Sequence, residues 1–386
     1  MRVFLIAGEP SGDRLGGALM AGLRQLVPGI AFDGIGGPQM QAEGLVSRFA
    51  MDELSVMGLA EVLPRIAQLK RRIAETAQAV IETLPDVLIT IDSPDFCLRV
   101  AWQVKAASSI RTVHYVAPSV WAWRPGRAAK MARVIDQVLA LLPFEPPYME
   151  AAGMACDFVG HPVVAEPQAS ADEIAAFRDR FGLADRPFLL ALPGSRRGEV
   201  TRLAPVFGAA LGELLRESPD LRLVVPAAGS VAGLVRAEVA GWPGDPVILD
   251  PAEHPEPEAQ SWKRAAFRGA EAALAASGTV SLELAAAGTP MVVAYKLNWL
   301  TWQLARRMVR LETYTLVNLV SETRAVPECI GPECRPEVIV PRLRAVLAAP
   351  EAQAAAMRLT MQRLGQDGEP PGLRAARAVL ARLPAG

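Results

Sequence analysis

The sequence Leu192-Pro193-Gly194-Ser195-Arg196-Arg197-Gly198-Glu199 ends one apolar run, and Ala276-Ser277-Gly278-Thr279-Val280-Ser281-Leu282-Glu283 ends another. Each stretch predicts a β-strand that passes through a turn of small residues into a helix. Such a turn directs backbone N–H groups and the positive end of the helix towards an anion. Either turn alone is equally typical of an ordinary strand–helix connection. The two together, with a guanidinium at Arg196, favour a nucleotide diphosphate bound between them.

The side chains of these turns suit the parts of such a ligand. Arg196 can make two-pronged contacts with phosphate. Glu283 lies one helical turn after Thr279, where its carboxylate can accept hydrogen bonds from a ribose. The residues predicted to hold the nucleotide are therefore Gly194, Ser195, Arg196, Ser277, Gly278, Thr279 and Glu283.

Length and composition limit the class of protein. With 386 residues, of which 51% are hydrophobic and 21% charged, the chain is expected to form two ordered domains. A formal net charge of −1 argues against a nucleic-acid partner. The apolar start, residues 1–7, resembles part of a signal peptide but runs into Gly8–Asp13 without a cleavage site, and no apolar run is long enough to span a membrane. We therefore expect a cytoplasmic protein.

The four cysteines and three histidines are scattered along the chain. None of them has the spacing of zinc ligands, so the sequence predicts reduced thiols, no metal and no cofactor.

Apolar runs alternate with helical periodicity along most of the chain. Short, nearly continuous apolar strands separated by helices indicate parallel sheets that are buried on both faces. We expect an α/β protein with two doubly wound, Rossmann-like domains facing across a cleft, at residues 1–164 and 165–345, and C-terminal helices at 346–386 that pack back on the first domain. The predicted strands are Arg2–Ala7, Ala31–Ile35, Val87–Ile91, Arg111–Val116, Gln137–Leu142, Phe188–Leu192, Leu221–Val225, Val247–Leu249, Ala272–Ala276 and Met291–Ala294.

The glycine-rich turn Gly8-Glu9-Pro10-Ser11-Gly12-Asp13 follows the first predicted strand. It does not match G-x-G-x-x-G, and no Walker lysine follows it, so a nicotinamide or ATP site is disfavoured. The turn fits a sugar or its phosphate, with Glu9, Ser11, Gly12 and Asp13 as candidates. Alternatively, its glycines only permit tight packing of strand against helix.

Two aspartates follow the third predicted strand, in Ile91-Asp92-Ser93-Pro94-Asp95-Phe96. A carboxylate at the end of a strand can act as a general base where burial adjusts its pKa. Asp92 and Asp95 are therefore the candidate catalytic residues. One of them could instead cap the following helix.

The segment from His114 to Arg124, HYVAPSVWAWR, is the richest in polar and aromatic residues. It predicts a site for a carbohydrate or an acyl chain. The alternative is that one tryptophan belongs to the core. The candidates are His114, Ser119, Trp121, Trp123 and Arg124.

Residues 59–80 have apolar side chains at helical spacing, with basic residues among them. By periodicity alone this is an amphipathic helix that packs on a sheet. A basic helix of this kind can also bind anionic lipid, through Leu63, Ile66 and Leu69.

Taken in order, these segments resemble the lipid-A-disaccharide synthases. The resemblance covers residues 3 to about 345. It rests most on the segment from His114 to Arg124, and Leu316-Val317-Asn318 departs from the family's Leu-Pro-Asn while keeping the asparagine. The other matching stretches are AGEPSGD (7–13), GGPQMQAEG (36–44), VMG (56–58), IDSPDF (91–96), LPFE (142–145), LPGSR (192–196), SGT with Glu283 (277–283) and PMVVAY (290–295).

The resemblance implies a type B glycosyltransferase fold. It also implies inverting transfer from UDP-2,3-diacylglucosamine to 2,3-diacylglucosamine 1-phosphate, without a metal, and adds Asn318 to the donor site. Because both substrates are acylated, it shifts residues 59–80 towards a membrane-facing role, on the cytoplasmic side of the inner membrane of a Gram-negative bacterium. The choice between monomer and homodimer stays open.

Two alternatives remain at this point. One is another UDP-sugar enzyme of the same fold, such as a UDP-N-acetylglucosamine 2-epimerase, which would need no lipid surface. The other is a non-catalytic protein that binds nucleotide or lipid.

Overall fold

The computed structural model describes residues 1–54, 59–122, 126–183, 186–297, 302–303 and 312–383, with the backbone alone over 59–65. The chain divides into two compact units. The first comprises Met1–Ala165 and Leu364–Gly386, and the second comprises Glu166–Arg363.

The first unit is built on a six-stranded parallel sheet with the order β2-β1-β3-β4-β5-β6. Its strands β1 and β3 to β5 carry apolar side chains that are buried on both faces, as expected for a parallel sheet between helices. The strands are β1 (Arg2–Ala7), β2 (Ala31–Ile35), β3 (Val87–Ile91), β4 (Arg111–Tyr115), β5 (Gln137–Ala140) and β6 (Ala155–Phe158).

The described helices of the first unit are α1 (Pro10–Leu26), α2 (Pro38–Ala42), α3 (Leu59–Thr83), α4 (Pro94–Ala107), α5 (Gly126–Met131), α6 (Pro146–Glu150) and α15 (Pro371–Leu380). Helix α15 returns from the end of the chain and packs on α1. Gly22 and Gly372 allow this contact, because a Cβ on Gly372 would lie 2.4 Å from the Ala18 carbonyl oxygen.

The second unit contains another six-stranded parallel sheet, with the order β12-β11-β10-β7-β8-β9. If β7 to β12 are numbered 1 to 6 and the sheet is read from the β9 edge, the strand order is 3-2-1-4-5-6, which is that of a dinucleotide-binding fold. The direction of the strand order reverses between β7 and β10. The strands are β7 (Phe188–Leu192), β8 (Arg222–Pro226), β9 (Val247–Leu249), β10 (Ala272–Ala276), β11 (Met291–Tyr295) and β12 (Glu328–Ile330).

The described helices of the second unit are α7 (Ala171–Arg180), α8 (Arg197–Glu217), α9 (Ala232–Val239), α10 (Glu256–Gly269), α11 (Val280–Ala287), α12 (Leu316–Ser321), α13 (Pro336–Ala348) and α14 (Glu351–Arg363). Helix α14 packs on α11 and α12. Of the two last helices, α14 thus belongs to the second unit and α15 to the first.

The predicted α/β architecture with two parallel sheets is confirmed, and all ten predicted strands are present to within two residues. The sequence analysis missed β6 and β12. Both lie at a sheet edge and are only four and three residues long, so they lack the continuous apolar run that marks an interior strand. In the described part of the chain no helix has the length and apolarity needed to cross a membrane.

Candidate functional site

A cavity of about 650 Å³ opens in the second unit where the strand order reverses. The turns after β7 and β10 form one side of it. In doubly wound folds, ligands bind at this point, beyond the carboxyl ends of the strands. The structure therefore brings Gly194, Ser195, Arg196, Ser277, Gly278, Thr279 and Glu283 to one cavity.

The turn after β7 is occupied by a carboxylate of the protein itself. Glu199 is buried, and its Oε2 accepts hydrogen bonds from the backbone N–H groups of Ser195 (3.2 Å) and Arg196 (3.3 Å). Gly194 permits this arrangement because its φ is +118° and a Cβ there would lie 2.5 Å from the Cβ of Glu199. The expectation that these N–H groups face a bound anion thus needs correction, since they face Glu199.

This turn contributes side chains to the cavity wall. Ser195 is exposed, and the Arg196 side chain is 68% accessible while its Nη1 lies 3.4 Å from Oε1 of Glu199. The sequence pattern was not used to assign Glu199 a place in this turn. The capping-box pattern of an acidic residue three positions after the N-cap could have identified it, although the N-cap here is Arg196 rather than serine or threonine.

The turn after β10 leads directly into α11. Gly278 and Thr279 are exposed at the cavity, and Ser281 Oγ donates a hydrogen bond to the Gly278 carbonyl oxygen, which fixes the turn. The positive end of α11 consequently adjoins the space in which an anion would lie.

Glu283 stands in the first turn of α11, paired with a lysine. Lys263 Nζ of α10 lies 2.5 Å from Glu283 Oε2. The lysine neutralises the carboxylate and leaves Oε1 with no hydrogen bond among the described contacts, so this oxygen is available as an acceptor for a hydroxyl group.

The opposite wall of the cavity is mainly apolar. It is formed by the loops after β8 and β9 and by one face of α10, with Ala227, Leu249, Trp262 and Phe267 among its residues. The sequence analysis assigned none of these four, because apolar residues that line a cavity and those that fill a core have the same pattern along the chain.

Asn318 does not line this cavity. Its buried Nδ2 donates to the carbonyl oxygen of Val326 (2.9 Å), and its Oδ1 accepts from the backbone N–H of Val326 (3.0 Å). The amide therefore fastens the segment after α12, and in this structure it is not placed to contact a ligand in the cavity.

The first sheet also reverses its strand order, between β1 and β3. Because Ala7 pairs with Ile91 at the end of these strands, the turn from Gly8 to Ser11 lies beside Asp92 and Ser93. We call these residues the first-unit edge. A Cβ on Gly8 would lie 2.7 Å from Ser93 Oγ, so the two turns are in close contact.

Asp92 and Ser93 both have a left-handed backbone, with φ of +50° and +42°. Such conformations cost free energy in residues other than glycine, and they occur preferentially at functional sites. Ser93 Oγ is buried and has no hydrogen-bond partner in the described part of the chain. Burial raises the pKa of Asp92.

Asp95 differs from Asp92 in its surroundings. It is exposed and stands in the first turn of α4, where a carboxylate is favoured by the helix dipole. Of the two aspartates, Asp92 is thus the half-buried one at the end of the strand.

Two residues of the glycine-rich turn have structural roles. Gly12 packs on the backbone of β3, since a Cβ there would lie 3.4 Å from the Ile91 carbonyl oxygen. The buried carboxylate of Asp13 accepts hydrogen bonds from three backbone N–H groups at the start of α2, those of Gly37, Gln39 and Met40. Glu9 is half-buried and Ser11 exposed at the first-unit edge.

The segment after β4 divides between core and surface. His114 is buried, its Nδ1 lies 2.7 Å from Thr90 Oγ1, and burial lowers its pKa to about 4, which makes it a neutral core residue near pH 7. Ser119 is exposed and Trp121 half-buried. Trp123 and Arg124 lie outside the described residues.

Glu145, in the stretch LPFE (142–145), is a buried carboxylate for which the sequence predicted no role. It accepts hydrogen bonds from the backbone N–H of Leu142 (2.9 Å) and from Trp121 Nε1 (3.3 Å), and Trp121 also packs edge-on against Phe144. Burial raises the pKa of Glu145 to about 7. This residue joins the segment after β4 to the turn after β5.

Helix α3 combines a core face with an exposed one. Ile73, Ala77 and Val80 are buried in the core, and Leu69 packs against the same cluster, so the expectation that Leu69 faces lipid needs correction. Ile66 is 38% exposed, whereas the side chain of Leu63 lies outside the described part.

Among the residues that the structure describes, no group of three or more His, Cys, Asp or Glu side chains is arranged to hold a metal ion. The side chains and helix ends at the two sites offer carboxylates, a guanidinium, hydroxyls and helix dipoles.

Two doubly wound parallel units, the second with a cavity at its switch point, define the two-Rossmann-domain (GT-B) class, which contains glycosyltransferases and sugar-nucleotide epimerases. Within this class, the chain belongs to the lipid-A-disaccharide synthetase family, whose model matches residues 3–377.

Individual relatives agree with this family. Over 384 residues the chain is 71% identical to the lipid-A-disaccharide synthase of Ruegeria pomeroyi, covering 100% of this chain and 96% of that protein. It is 47% identical to the synthase of Rhodospirillum centenum, covering 98% and 94%. The family predicted from the sequence is confirmed, and with it the prediction of an enzyme.

Among solved structures, the chain resembles the UDP-GlcNAc 2-epimerase of Neisseria meningitidis bound to UDP-GlcNAc. The TM-score is 0.65 over 99% of both chains, at 12% sequence identity. At this identity the likeness shows the fold alone, and the family match favours a synthase over the epimerase alternative.

Proposed function

We propose that the protein transfers the diacylglucosamine of UDP-2,3-diacylglucosamine to the 6-hydroxyl of 2,3-diacylglucosamine 1-phosphate. The product is a β-1,6-linked disaccharide, and UDP is released. The observation that carries this proposal is the cavity at the switch point of the second unit, with Arg196 and the start of α11 at one side and the Glu283–Lys263 pair beside them.

In this proposal the donor occupies the second unit. The diphosphate meets the Arg196 guanidinium, the Ser195 hydroxyl and the turn from Ser277 to Thr279, while Glu283 accepts hydrogen bonds from the ribose. The apolar wall with Trp262 and Phe267 then receives the base. A cavity of about 650 Å³ falls within the size range of small-molecule sites.

The chemistry follows from the α-linkage of the donor and the β-linkage of the product. One displacement at the anomeric carbon forms its bond to the acceptor O6 and breaks its bond to the diphosphate oxygen. A base takes the proton of the 6-hydroxyl, and positive groups stabilise the negative charge on departing UDP. Arg196 and the N-terminus of α11 can supply that stabilisation.

We assign the base to Asp92 and the acceptor to the first-unit edge. Burial raises the pKa of Asp92, which makes its carboxylate a stronger base than that of an exposed aspartate. Asp92 has a left-handed backbone at the strand end, directly before Ser93, which contacts Gly8 of the neighbouring turn.

The experiment that tests this function is an assay of the purified protein with both diacylated sugars. We expect equal amounts of disaccharide and UDP, and no UDP release without acceptor. Interconversion of UDP-sugars with no acceptor requirement would instead indicate an epimerase.

The donor site is tested by Arg196→Ala. Loss of a hydrogen-bonded charge costs about 1.5–3 kcal/mol, so UDP binding should weaken about 10- to 150-fold and turnover should fall. Unchanged UDP affinity and turnover would remove Arg196 from the site.

Because both substrates carry acyl chains, we also propose that the enzyme acts on the cytoplasmic surface of the inner membrane. Ile66, Lys70 and Arg71 are exposed on α3, and we call these three residues the α3 surface. Basic residues near anionic lipid contribute about 1 kcal/mol each.

The triple substitution Ile66→Ser, Lys70→Ser and Arg71→Ser should reduce sedimentation with vesicles that contain phosphatidylglycerol, without unfolding the protein. Leu84→Ser is the matched control, since Leu84 is 71% exposed beyond the other end of α3 and should have no effect. Undiminished vesicle binding by the triple variant would exclude the α3 surface.

A further inference from the structure

Glu199 places a negative charge beside the space where we propose that the donor diphosphate lies. Its two oxygens have different partners. Oε2 accepts from the backbone N–H groups of Ser195 and Arg196, whereas Oε1 contacts Arg196 Nη1 at 3.4 Å and accepts from Tyr295 Oη at 3.2 Å.

An anion at this position has one of two roles. Either it occupies the phosphate position until the incoming phosphate displaces it from the turn, or it stays in the turn when the ligand is bound. The roles differ in what they predict, because a displaced carboxylate competes with the ligand and a fixed one assists it.

The packing favours a fixed carboxylate. Glu199 is only 7% exposed and lies in the first turn of α8, where its charge is stabilised by the helix dipole. Gly194 leaves just enough room for it, with 2.5 Å between a Cβ on Gly194 and the Cβ of Glu199. Tyr295, at the end of β11, holds it from another strand. Displacement would break all these contacts.

We propose that Glu199 is a positioning residue that orients the guanidinium of Arg196 towards the donor, and that Tyr295 supports it. Its Oε2 fixes the turn, and its Oε1 draws the guanidinium of Arg196 to the cavity side of that turn. The donor diphosphate is then met by the guanidinium, while the backbone N–H groups of this turn stay with Glu199. This inference rests on the proposed function, since it presupposes that UDP binds in the cavity.

The test is a double-mutant cycle on UDP affinity, measured by calorimetric titration of the full chain. Glu199→Gln preserves shape and an acceptor for the turn, but it puts an amide NH₂ in place of an oxygen that attracts Arg196. We expect about tenfold weaker UDP binding in Glu199→Gln, and no further loss, within about twofold, when it is added to Arg196→Ala.

Glu213→Gln is the matched control, because Glu213 lies on the same helix in an exposed ion pair with Arg344. Its UDP affinity should equal that of the unsubstituted protein. If Glu199→Gln does not fold, Tyr295→Phe replaces it in the cycle. This variant removes one hydrogen bond to Glu199, and we expect about threefold weaker binding that also disappears in the Arg196→Ala background.

The outcomes separate the two proposals. Tighter UDP binding by Glu199→Gln would show that the carboxylate competes with the ligand and would overturn the inference. Additive losses of affinity would also overturn it, since they would mean that Glu199 does not act through Arg196. Failure of the unsubstituted protein to bind UDP would instead refute the donor site of the proposed function.

Discussion

Asp92→Asn is the most informative single substitution in this protein. Asparagine has nearly the shape of aspartate and tolerates a left-handed backbone, so the φ of +50° at this position can be kept. The substitution removes the negative charge and the ability to accept a proton, and it keeps the size of the side chain. Any loss of activity can then be assigned to chemistry rather than to a distorted strand end.

General base catalysis contributes about 10²- to 10⁴-fold to a rate, which corresponds to about 2.7–5.5 kcal/mol of the activation barrier. We therefore expect kcat with both diacylated sugars to fall by this factor in Asp92→Asn, with UDP affinity unchanged. In the unsubstituted protein, kcat/KM should fall as the pH is lowered through the raised pKa of Asp92. This acidic limb should be absent from the residual activity of the variant.

Stability should change in the opposite direction. Because burial raises the pKa of Asp92, the folded protein holds this proton more tightly than the unfolded chain, and the ionised carboxylate disfavours folding near neutral pH. Asp92→Asn should therefore have a Tm equal to or above that of the unsubstituted protein.

The control is Asp367→Asn, the same substitution at an exposed aspartate that also has a left-handed backbone, with φ of +64°. It should leave activity unchanged. The assignment would be refuted if Asp92→Asn kept most of its activity. Loss of activity in Asp95→Asn at the same time would move the role to Asp95.

Three further predictions concern stability. Burial raises the pKa of Glu145 to about 7, so the free energy of unfolding should decline as the pH rises from about 4.5 to 7. Urea titrations of Glu145→Gln should show a weaker decline with pH. The same pH dependence in both proteins would contradict the burial of this carboxylate. Asp13→Ala leaves the start of α2 without its cap and should lower the free energy of unfolding by about 2 kcal/mol, whereas an unchanged urea midpoint would exclude the capping role. Gly194→Ala combines a positive φ with a clash against Glu199, so its Tm and its UDP affinity should both decrease; a normal affinity would mean that the turn tolerates rearrangement.

The sequence by itself determined ten of the twelve strands in the two parallel sheets. Interior strands such as Val87–Ile91 and Ala272–Ala276 consist almost entirely of apolar residues, and this pattern is local. Because strands in such sheets are parallel, the turns that follow them lie at one edge, and the sequence alone therefore predicts that the turns after β7 and β10 lie at the same edge.

Only the tertiary structure decided which polar residues line the cavity and which serve the fold. Asp13 accepts a hydrogen bond from the N–H of Gly37 before α2, 24 positions away in the chain. Asn318 Oδ1 accepts a hydrogen bond from the backbone N–H of Val326. His114 is neutral because packing excludes water from its ring. Such partners depend on how elements pack together, and the residue types along the chain do not specify them.

The same reason explains the two short edge strands and the position of Leu69. An edge strand such as Glu328–Ile330 forms because β11 presents unpaired backbone groups beside it, which its own three residues do not reveal. Leu69 lies on the apolar stripe of α3, and a stripe fits a core or a membrane equally well. The core cluster that contains Ile73 places this leucine against the first sheet, because side chains of α3 and α4 pack there on apolar residues of the strands.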